Sequence, residues 1–460
     1  MKKLIAFIVS LTIAISQLSI ISVAIDNDTN NVSLNDFTSD FVHMVNDEAF
    51  AFQLEGNAKL YGTSAPDSEQ NESVAEESTG TNRLIVKSSR VLDERDSVGY
   101  VYGYNDLHIL QFSSKQAMLS AKEYYSSLPY VEYAEEDYVL KEAVTDDGVV
   151  FESSADYPTA VQSNLFGYTT AKKNSSGGSA VKIAVVDSGV QTDHEFLVGR
   201  VVDSGFNSVS DNGTAYDDRG HGTHVAGIIV ANTLSNVKVY AYKALNATGL
   251  GTSAQIVLAI DAAIEDGVDI INLSMSMKGT STTLKEAVLR AYNAGICVIV
   301  AAGNAGVDLA GAPYSPGCFE EAISVMSCSD SRRILSTSNY GTPCDFAAPG
   351  ENILSTYIGN TYKLSTGTSM AAPFICAAAS YVLGKNPSYT PDEVCLALSE
   401  RTEWCYGSPT GKCVYPAAKT TVSGTTATPK FELDSCSFLG KMKVSLSCST
   451  PNSEIFYTVT

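Results

Sequence analysis

The chain has 460 residues, of which 44% are hydrophobic, and it carries a formal net charge of −21. This length suffices for one large core and smaller modules. Residues 25–150 hold 24 acidic and 8 basic side chains, whereas residues 151–460 carry a net charge of only −7. Because neither part offers a basic surface, we expect no nucleic-acid partner.

A secretory signal is predicted at residues 1–24. Two lysines precede the apolar stretch 4–23, and small residues at Ser22 and Ala24 suit cleavage after Ala24. An uncleaved membrane anchor is the alternative, since the stretch is long enough to span a bilayer. With cleavage we expect a secreted, extracellular or cell-surface protein with no stable membrane insertion, exported by a bacterial-type signal.

Two segments separate this signal from the main domain. Residues 25–82 form an acidic pro-segment, and their later part is rich in Ser, Glu, Asn and Gly, which predicts a largely disordered chain. Residues 83–148 instead predict a small α+β module, with strands at 84–87, 107–112 and 131–140. Ser113 or Ser114 would cap its helix, which runs through Leu128.

Strands and helices alternate from about residue 181 to residue 385, within a main domain predicted at 149–420. Continuous β-branched runs, such as 181–186, are typical of strands buried on both faces. We therefore predict a three-layer α/β domain with a mainly parallel, doubly covered sheet. The further strands are predicted at 237–241, 269–273 and 296–300, and the helices at 221–231, 253–265, 283–294 and 369–383.

Residues 421–460 are rich in Thr and Ser and predict a short β-rich tail, part of a β-sandwich-like module, with strands at 444–446 and 455–459. All ten cysteines lie at Cys297 or later, and export would permit disulfides. Local bridges are candidates between Cys405 and Cys413 and between Cys436 and Cys448. Cys297 and Cys376 lie in apolar runs and are predicted to be free, buried thiols.

Asp187 ends the strand 181–186, at the edge where open α/β sheets bind ligands; a loop cap is its alternative role. His221 stands between two glycines in the segment RGHGTH and is a candidate general base. His194 and His224 are the other candidates. A helix-capping pair is the alternative for His221 and His224, and a metal site of the HExxH kind lacks its glutamate.

Ser369 lies in the segment STGTSMAAP, where a flexible approach meets good helix formers. This predicts a hydroxyl on the first turn of a helix. Asn304 follows the strand 296–300 beside glycines, so it is either a turn residue or a donor to a developing oxyanion. Nucleophilic catalysis needs a hydroxyl, a base and an acid that orients the base. The candidates are Ser369 for the hydroxyl, His221 for the base and Asp187 for the acid.

The segments DSG, HGTH and GTSMAAP around these residues resemble the three motifs of the subtilisin-like serine peptidases (subtilases, peptidase family S8), and the match spans roughly residues 155–420. The resemblance implies that Ser369 is the nucleophile, His221 the base and Asp187 the orienting carboxylate. It also implies an oxyanion hole made by Asn304 and the Ser369 N–H. A lipase or esterase is excluded, because no G-x-S-x-G elbow surrounds Ser369.

The resemblance implies a secreted serine endopeptidase that hydrolyses extended protein substrates through an acyl-enzyme and is made as a zymogen. A catalytically silent subtilase-fold binding or surface module is the alternative. The module 83–148 resembles the family's propeptide, an intramolecular inhibitor, although a permanent accessory domain is also open.

By the same resemblance, substrate binds as a strand between two segments, and a third segment lines one wall of the S1 pocket. Ser276 stands where the family usually has glycine, which argues against a deep, open pocket; Tyr314 is expected near its floor. The three segments comprise Gly249, Leu250 and Gly251; Leu273, Ser274, Met275 and Ser276; and Ala301, Ala302 and Gly303.

The chemistry requires no cofactor, and we assign no metal ligands. Subtilisins often carry a calcium loop between the helix that bears the histidine and the next strand. Here the connection 231–237 is short and has no carboxylate, so the usual site is predicted to be absent. Calcium elsewhere would be structural.

Overall fold

The computed structural model divides the chain into two units, Met1–Glu76 and Glu77–Thr460. All described residues belong to the second unit, so the predicted signal and nearly all of the acidic pro-segment lie outside them. The described residues are 81–92, 99–104, 106–145, 148–152, 160–175, 178–210, 213–405, 412–414, 430–432 and 445–447.

Strands and helices alternate along the larger part of the chain. In chain order the strands are β1 (Arg83–Ser88), β2 (Gly99–Tyr104), β3 (Leu107–Gln111), β4 (Val131–Glu136), β5 (Val139–Glu142), β6 (Val150–Phe151), β7 (Val181–Asp187), β8 (Val201–Asn207), β9 (Val237–Lys243), β10 (Leu250–Thr252), β11 (Ile270–Leu273), β12 (Met275–Lys278), β13 (Cys297–Ala301), β14 (Tyr314–Ser315), β15 (Ile323–Cys328), β16 (Phe346–Pro349), β17 (Ile353–Tyr357), β18 (Thr361–Ser365), β19 (Thr402–Trp404), β20 (Lys412–Val414), β21 (Lys430–Glu432) and β22 (Ser445–Ser447). The helices are α1 (Lys115–Ser126), α2 (Ala160–Leu165), α3 (Tyr168–Asn174), α4 (His221–Asn232), α5 (Ser253–Glu265), α6 (Thr282–Asn293), α7 (Thr368–Lys385) and α8 (Pro391–Ser399).

The N-terminal module is a four-stranded antiparallel sheet of order β2-β3-β1-β4 with α1 on one face. Ser114 caps α1 by accepting a hydrogen bond from the Ala117 N–H at 3.2 Å. Successive residues of β1 point to opposite faces. Leu84 and Val86 therefore pack in the core beneath α1, whereas Ile85 joins the core of the larger domain.

The prediction of one closing strand over 131–140 is wrong, because the chain breaks it into β4 and β5. Between them, Asp137 turns its carboxylate to the Arg83 guanidinium and accepts a hydrogen bond from the Ala254 N–H at 2.9 Å. These contacts redirect the chain, so β5 leaves the module's sheet. No strand was predicted at β2, because its glycines interrupt any apolar run.

The larger domain is built on a nine-stranded sheet of order β19-β20-β16-β15-β13-β11-β7-β9-β8, in which every neighbouring pair except β19–β20 is parallel. Ile183 and Val185 of β7 pack in the core beneath α4 and α7. Ala184 and Val186 pack in the opposite core, beneath α5 and α6. The predicted three-layer α/β fold with a mainly parallel, doubly covered sheet is therefore confirmed.

Two smaller sheets lie against this framework. One has the order β10-β5-β12-β14, and β5 pairs antiparallel with both β10 and β12. The other, β17-β18-β6, is antiparallel throughout. Because β12 begins two residues after β11 ends, the sheet that holds β5 starts at the carboxyl edge of the parallel strands, where ligands bind in open α/β sheets.

Among the described residues, Cys297 and Cys376 are free thiols as predicted, whereas Cys405 is disulfide-bonded. The candidate bridge of Cys436 with Cys448 lies outside the described residues. In the tail, β21 pairs antiparallel with β22, and the strand predicted at 455–459 is not among the described residues. No helix in the described part of the chain is long and apolar enough to cross a membrane.

Candidate active site

Asp187 is the last residue of β7 and is fully buried. Its Oδ1 accepts hydrogen bonds from the Ser188 N–H and from His221 Nδ1, both at 2.7 Å. A carboxylate held in this way fixes the orientation and the tautomer of an imidazole. The sequence left a loop cap and a catalytic carboxylate as alternative roles for Asp187. Its Oδ1 atom makes both contacts.

His221 is the first residue of α4 and lies close to the strand that bears Asp187. A β-carbon on Gly222 would lie 2.0 Å from the Gly189 carbonyl oxygen and 3.1 Å from the Asp187 β-carbon, so only glycine permits this approach. Burial by itself would lower the pKa of His221. The charges of Asp187 and Glu142, with the hydrogen bond to Asp187, outweigh burial and raise the pKa to about 9.

The other two candidate bases, His224 and His194, make structural contacts. His224 Nε2 donates to the carbonyl oxygens of Lys363 and Ile353, at 2.9 and 3.1 Å, and burial lowers its pKa to about 3. His194 accepts from the Phe196 N–H and contacts the Thr361 carbonyl oxygen at 3.1 Å. By contrast, His221 Nε2 is buried and has no hydrogen-bond partner within the described residues.

Ser369 is the second residue of α7 and is fully buried. Its hydroxyl donates to the Ser274 carbonyl oxygen at 2.7 Å. Pro373 has no N–H to donate to the Ser369 carbonyl oxygen four residues earlier, and the Ser274 hydroxyl donates to that oxygen instead, at 3.0 Å. The helix therefore tolerates Pro373. Ser274 contacts both the hydroxyl and the carbonyl oxygen of Ser369.

Ser369 also contacts the carbonyl oxygen of Ala143, the residue that follows β5. The Ser369 N–H donates to the Ala143 carbonyl oxygen at 3.1 Å. Gly367 has φ 149°, and a β-carbon there would lie 2.4 Å from that oxygen and 2.9 Å from Asn304 Nδ2. The amide nitrogen of Asn304 and the Ser369 N–H thus lie near the same carbonyl group, that of Ala143. The absence of a side chain at Gly367 leaves room for this carbonyl group.

Asn304 is oriented by its other atom. Its Oδ1 accepts hydrogen bonds from the N–H and the hydroxyl of Thr368, both at 3.0 Å. Its Nδ2 is buried without a hydrogen-bond partner among the described residues. A buried amide without a partner costs free energy, and at this position it is a donor held ready for charge on the neighbouring oxygen.

The two predicted substrate-binding segments flank β5. On one side Leu250 pairs with Lys141 and Gly251 with Leu140, and on the other side Met275 pairs with Glu142. The Glu142 N–H donates to the Gly249 carbonyl oxygen at 3.1 Å, and the Ala143 N–H donates to the Ser274 carbonyl oxygen at 3.2 Å. The sheet edge thus holds an extended strand by its main chain, in the mode of β-augmentation.

The third segment follows β13, which ends at Ala301. A β-carbon on Gly303 would lie 2.5 Å from Asn339 Nδ2 and 3.2 Å from Ser276 Oγ. The Ser276 hydroxyl and the Asn339 amide therefore occupy space beside Ala302 and Gly303. Ala143, the residue that follows β5 and lies at this site, is small and 3% exposed.

The residues between α4 and β9 do not fit a calcium ion. This connection has no carboxylate, whereas calcium sites are built mainly from carboxylate and carbonyl oxygens. Its Leu234 and Val237 carbonyl oxygens accept hydrogen bonds from Arg200 at 2.7 and 3.1 Å, and Thr233 Oγ1 accepts another at 2.9 Å. A guanidinium satisfies the oxygens that a cation would need.

Three residues of the site escaped the sequence analysis. Glu142 and Ala143 lie in the module's final segment, where nothing local marks contact with a distant serine. Arg219 stands in the quoted segment RGHGTH, and its charge two residues before His221 was the available signal. Its Nη2 lies 2.7 Å from Glu142 Oε1.

A serine at a helix start that donates its N–H to a carbonyl oxygen, and an imidazole bonded to a buried carboxylate, define the class of serine hydrolases that work by acyl transfer. Residues 178–412, just over half of the chain, match the model of the subtilase family. The chain belongs to the subtilase family, and it is a serine-type endopeptidase that acts on protein or peptide substrates.

Known relatives agree with this assignment. The chain is 35% identical over 282 residues to a thermophilic serine proteinase from Bacillus sp. (strain AK1), covering 59% of this chain and 67% of the relative. It is 38% identical over 231 residues to subtilisin DY from Bacillus licheniformis, covering 48% and 83%. A crystal structure of a cold adapted subtilisin-like serine proteinase aligns with a TM-score of 0.50 at 31% identity, over 53% of this chain and 90% of the other.

Proposed function

We propose that this subtilase is made as a zymogen and that its first substrate is its own chain, cut between Ala143 and Val144. The observation that carries the proposal is the hydrogen bond from the Ser369 N–H to the Ala143 carbonyl oxygen. A donor of an oxyanion hole contacts the carbonyl that is attacked. The resulting boundary lies five residues before the one expected at residue 148.

In the first step, His221 Nε2 takes the hydroxyl proton of Ser369 while Oγ attacks the carbonyl carbon of Ala143. Because Oγ donates to the Ser274 carbonyl oxygen in the precursor, it first rotates about its Cα–Cβ bond. Asp187 then stabilises the imidazolium that forms.

The second step breaks the peptide bond. Negative charge on the Ala143 oxygen is stabilised by the Ser369 N–H and by Asn304 Nδ2. His221 returns its proton to the Val144 nitrogen, which leaves as an amine, and Ala143 remains as an ester on Ser369. Water then hydrolyses this acyl-enzyme, with His221 again as the base.

We further propose that the module ending at Ala143 inhibits the enzyme until it is released. Its β5 occupies the strand position between β10 and β12, so another substrate strand has no edge to join. On the downstream side, Thr145 donates its N–H to the Thr366 carbonyl oxygen at 2.9 Å. The chain therefore crosses the site in the manner of a substrate.

Secretion is part of the same proposal. Its support is the predicted signal at residues 1–24, with the bacterial proteinases and subtilisins to which the chain is similar. The substrates would be proteins outside the cell. No step of the proposed mechanism uses a metal ion or a cofactor.

The test compares the full chain with its Ser369→Ala variant in a host that lacks secreted proteases. We expect the wild type to yield a mature form that begins at Val144 and reacts with a fluorophosphonate probe. The variant should keep residue 143 joined to 144 and lose about 10⁶-fold in turnover, as expected when the nucleophile is removed. N-terminal sequencing and probe labelling measure both outcomes.

Identical processing in the two forms would contradict self-cleavage. A mature wild type that neither turns over peptides nor takes the label would instead favour the silent binding or surface module.

A further inference from the structure

An acidic side chain lies directly beside the carbonyl that Ser369 contacts. In protease nomenclature Ala143 is the P1 residue, Glu142 is P2, and the site that receives P2 is S2. Glu142 Oε1 lies 2.7 Å from Arg219 Nη2 and 3.2 Å from Arg219 Nε. The side chains of Glu142 and Arg219 are 13% and 34% exposed. Arg219 Nε also lies 3.4 Å from Glu142 Oε2, so both carboxylate oxygens face the guanidinium. Hydrogen bonds between such charged groups are stronger than those between neutral ones.

The larger domain fixes the main chain of Arg219 without help from the bound segment. Its N–H donates to Asp217 Oδ1 at 2.9 Å, and its carbonyl oxygen accepts from the Tyr357 hydroxyl at 2.8 Å. Asp217 is itself buried and also accepts from the Gly220 and Thr223 N–H groups. Because these contacts survive release of the module, Arg219 remains at the cleft in the mature enzyme.

The other groups around Glu142 favour an anion as well. A β-carbon on Gly249 would lie 2.6 Å from Glu142 Cδ, so the absence of a side chain there makes room for the carboxylate. Burial alone would raise the pKa of Glu142, but the charge of His221, the hydrogen bond and charge of Arg219, and the charge of Lys363 together lower it. The acid is therefore held ionised.

The two aspartates that precede Arg219 in the chain, Asp217 and Asp218, have other partners in the larger domain. Asp218 pairs with Lys243 at 2.6 Å. Asp217 is turned inward to backbone N–H groups and to the Ser188 hydroxyl. The charge that faces the P2 side chain is thus positive.

We propose that Arg219 makes S2 selective for an acidic residue, so that the mature enzyme prefers substrates with Glu or Asp immediately before the residue at which it cuts. This inference rests on the proposed function and adds a substrate class to it. Arg219 touches the substrate side chain and not the reacting atoms, so its role is specificity.

The test uses the mature enzyme and two peptides taken from the chain itself. LKEAVT reproduces residues 140–145, and LKQAVT replaces the P2 glutamate by its neutral isostere. We expect the wild type to cut the first with a kcat/KM at least about 10-fold higher, because only the glutamate offers a charged acceptor to the Arg219 guanidinium. High salt should reduce this ratio, because the pair is partly exposed.

Variants then assign the preference to Arg219. The ratio should fall to near one in Arg219→Gln, and Arg219→Glu should prefer LKKAVT, with lysine at P2. Lys285→Gln removes a positive charge at a distant surface, where Lys285 lies 3.5 Å from Glu321, and should leave the ratio unchanged. Each ratio is measured within one protein, so a loss of folded enzyme does not alter it.

A wild-type ratio near one overturns the proposal even if no variant folds, and so does a preference that Arg219→Gln leaves intact. Cleavage of both peptides at equal rates would leave the protease function standing and refute the subsite alone. Failure to cut either peptide, together with no fluorophosphonate labelling, would refute the proposed function and the subsite with it.

Discussion

At the residue scale, three carboxylates act on His221, and one of them does not belong to the larger domain. Asp187, which is bonded to Nδ1, and Asp217 stay in place, whereas Glu142 arrives with the module. These charges favour the imidazolium, and they raise the pKa of His221 to about 9 against the opposing effect of burial. A general base must be neutral to accept a proton, so in the proposed zymogen His221 is held protonated near neutral pH.

This predicts an alkaline pH profile for self-processing. The rate should rise as the pH increases through the pKa of about 9, because only the neutral fraction of His221 can act as the base. Glu142→Gln removes one of the three negative charges and should move the rising limb of the profile to lower pH. The measurement is the initial rate of cleavage after residue 143 across the pH range.

The matched control is Glu132→Gln, which removes an exposed acidic charge that pairs with Lys87 on the module's own sheet. Its profile should coincide with that of the wild type. A limb that stays in place in Glu142→Gln would show that the P2 carboxylate does not set the protonation of His221.

At the element scale, the module binds the larger domain by capping its helices. Glu135 is buried at the start of α6, where its carboxylate accepts hydrogen bonds from the N–H groups of Thr282 and Thr283 and from the Ser281 hydroxyl, at 2.8 to 2.9 Å. The N-terminus of a helix has N–H groups without partners and a positive dipole end. Asp137 contacts the start of α5 in the same way, through Ala254.

Loss of one cap should therefore release the module sooner. Glu135→Ala removes a buried anionic acceptor, whose hydrogen bonds contribute about 1.5–3 kcal/mol. After cleavage we expect the module to dissociate about 10- to 100-fold more readily, and the lag before protease activity appears should shorten. Glu136→Ala is the control, since the next residue of β4 points to the opposite face. An unchanged lag in Glu135→Ala would mean that the cap adds nothing to inhibition.

The same elements show how far the sequence could predict the structure. Local patterns sufficed for β7, α5 and α7, because β-branched runs and helix formers reflect burial along one element. The split of β4 from β5 could not be predicted, because it depends on contacts of Asp137 with Arg83 and Ala254, which lie far away in the chain. For the site, the motifs singled out Asp187 and His221, which the structure brings into contact. The pairing of Glu142 with Arg219 required the path of the chain through the cleft.

At the scale of the whole molecule, negative charge and the proposed inhibitor lie in the same part of the chain. Residues 25–150 hold 24 acidic against 8 basic side chains, and this part includes the carboxylates that cap α5 and α6 and the one that binds Arg219. Cleavage after Ala143 would thus separate an acidic inhibitor from a domain that is closer to neutral. Surface ion pairs weaken in salt, so the buried caps should dominate what holds the two together.

The stability of the larger domain should depend on Arg200 in place of a calcium ion at the connection between α4 and β9. Arg200→Gln removes charged hydrogen bonds to the carbonyl oxygens of Leu234 and Val237 and leaves them without this donor. We expect the Tm to fall by about 5 °C, from a loss of about 2 kcal/mol in a domain of this size. The fall should be equal in excess calcium and in excess chelator, as measured by calorimetry. Lys182→Gln, at an exposed lysine that contacts the Asp266 carbonyl oxygen at 3.1 Å, should barely change the Tm. Recovery of the lost stability by calcium would show that the connection can still hold the ion, and would refute the substitution of a guanidinium for a metal.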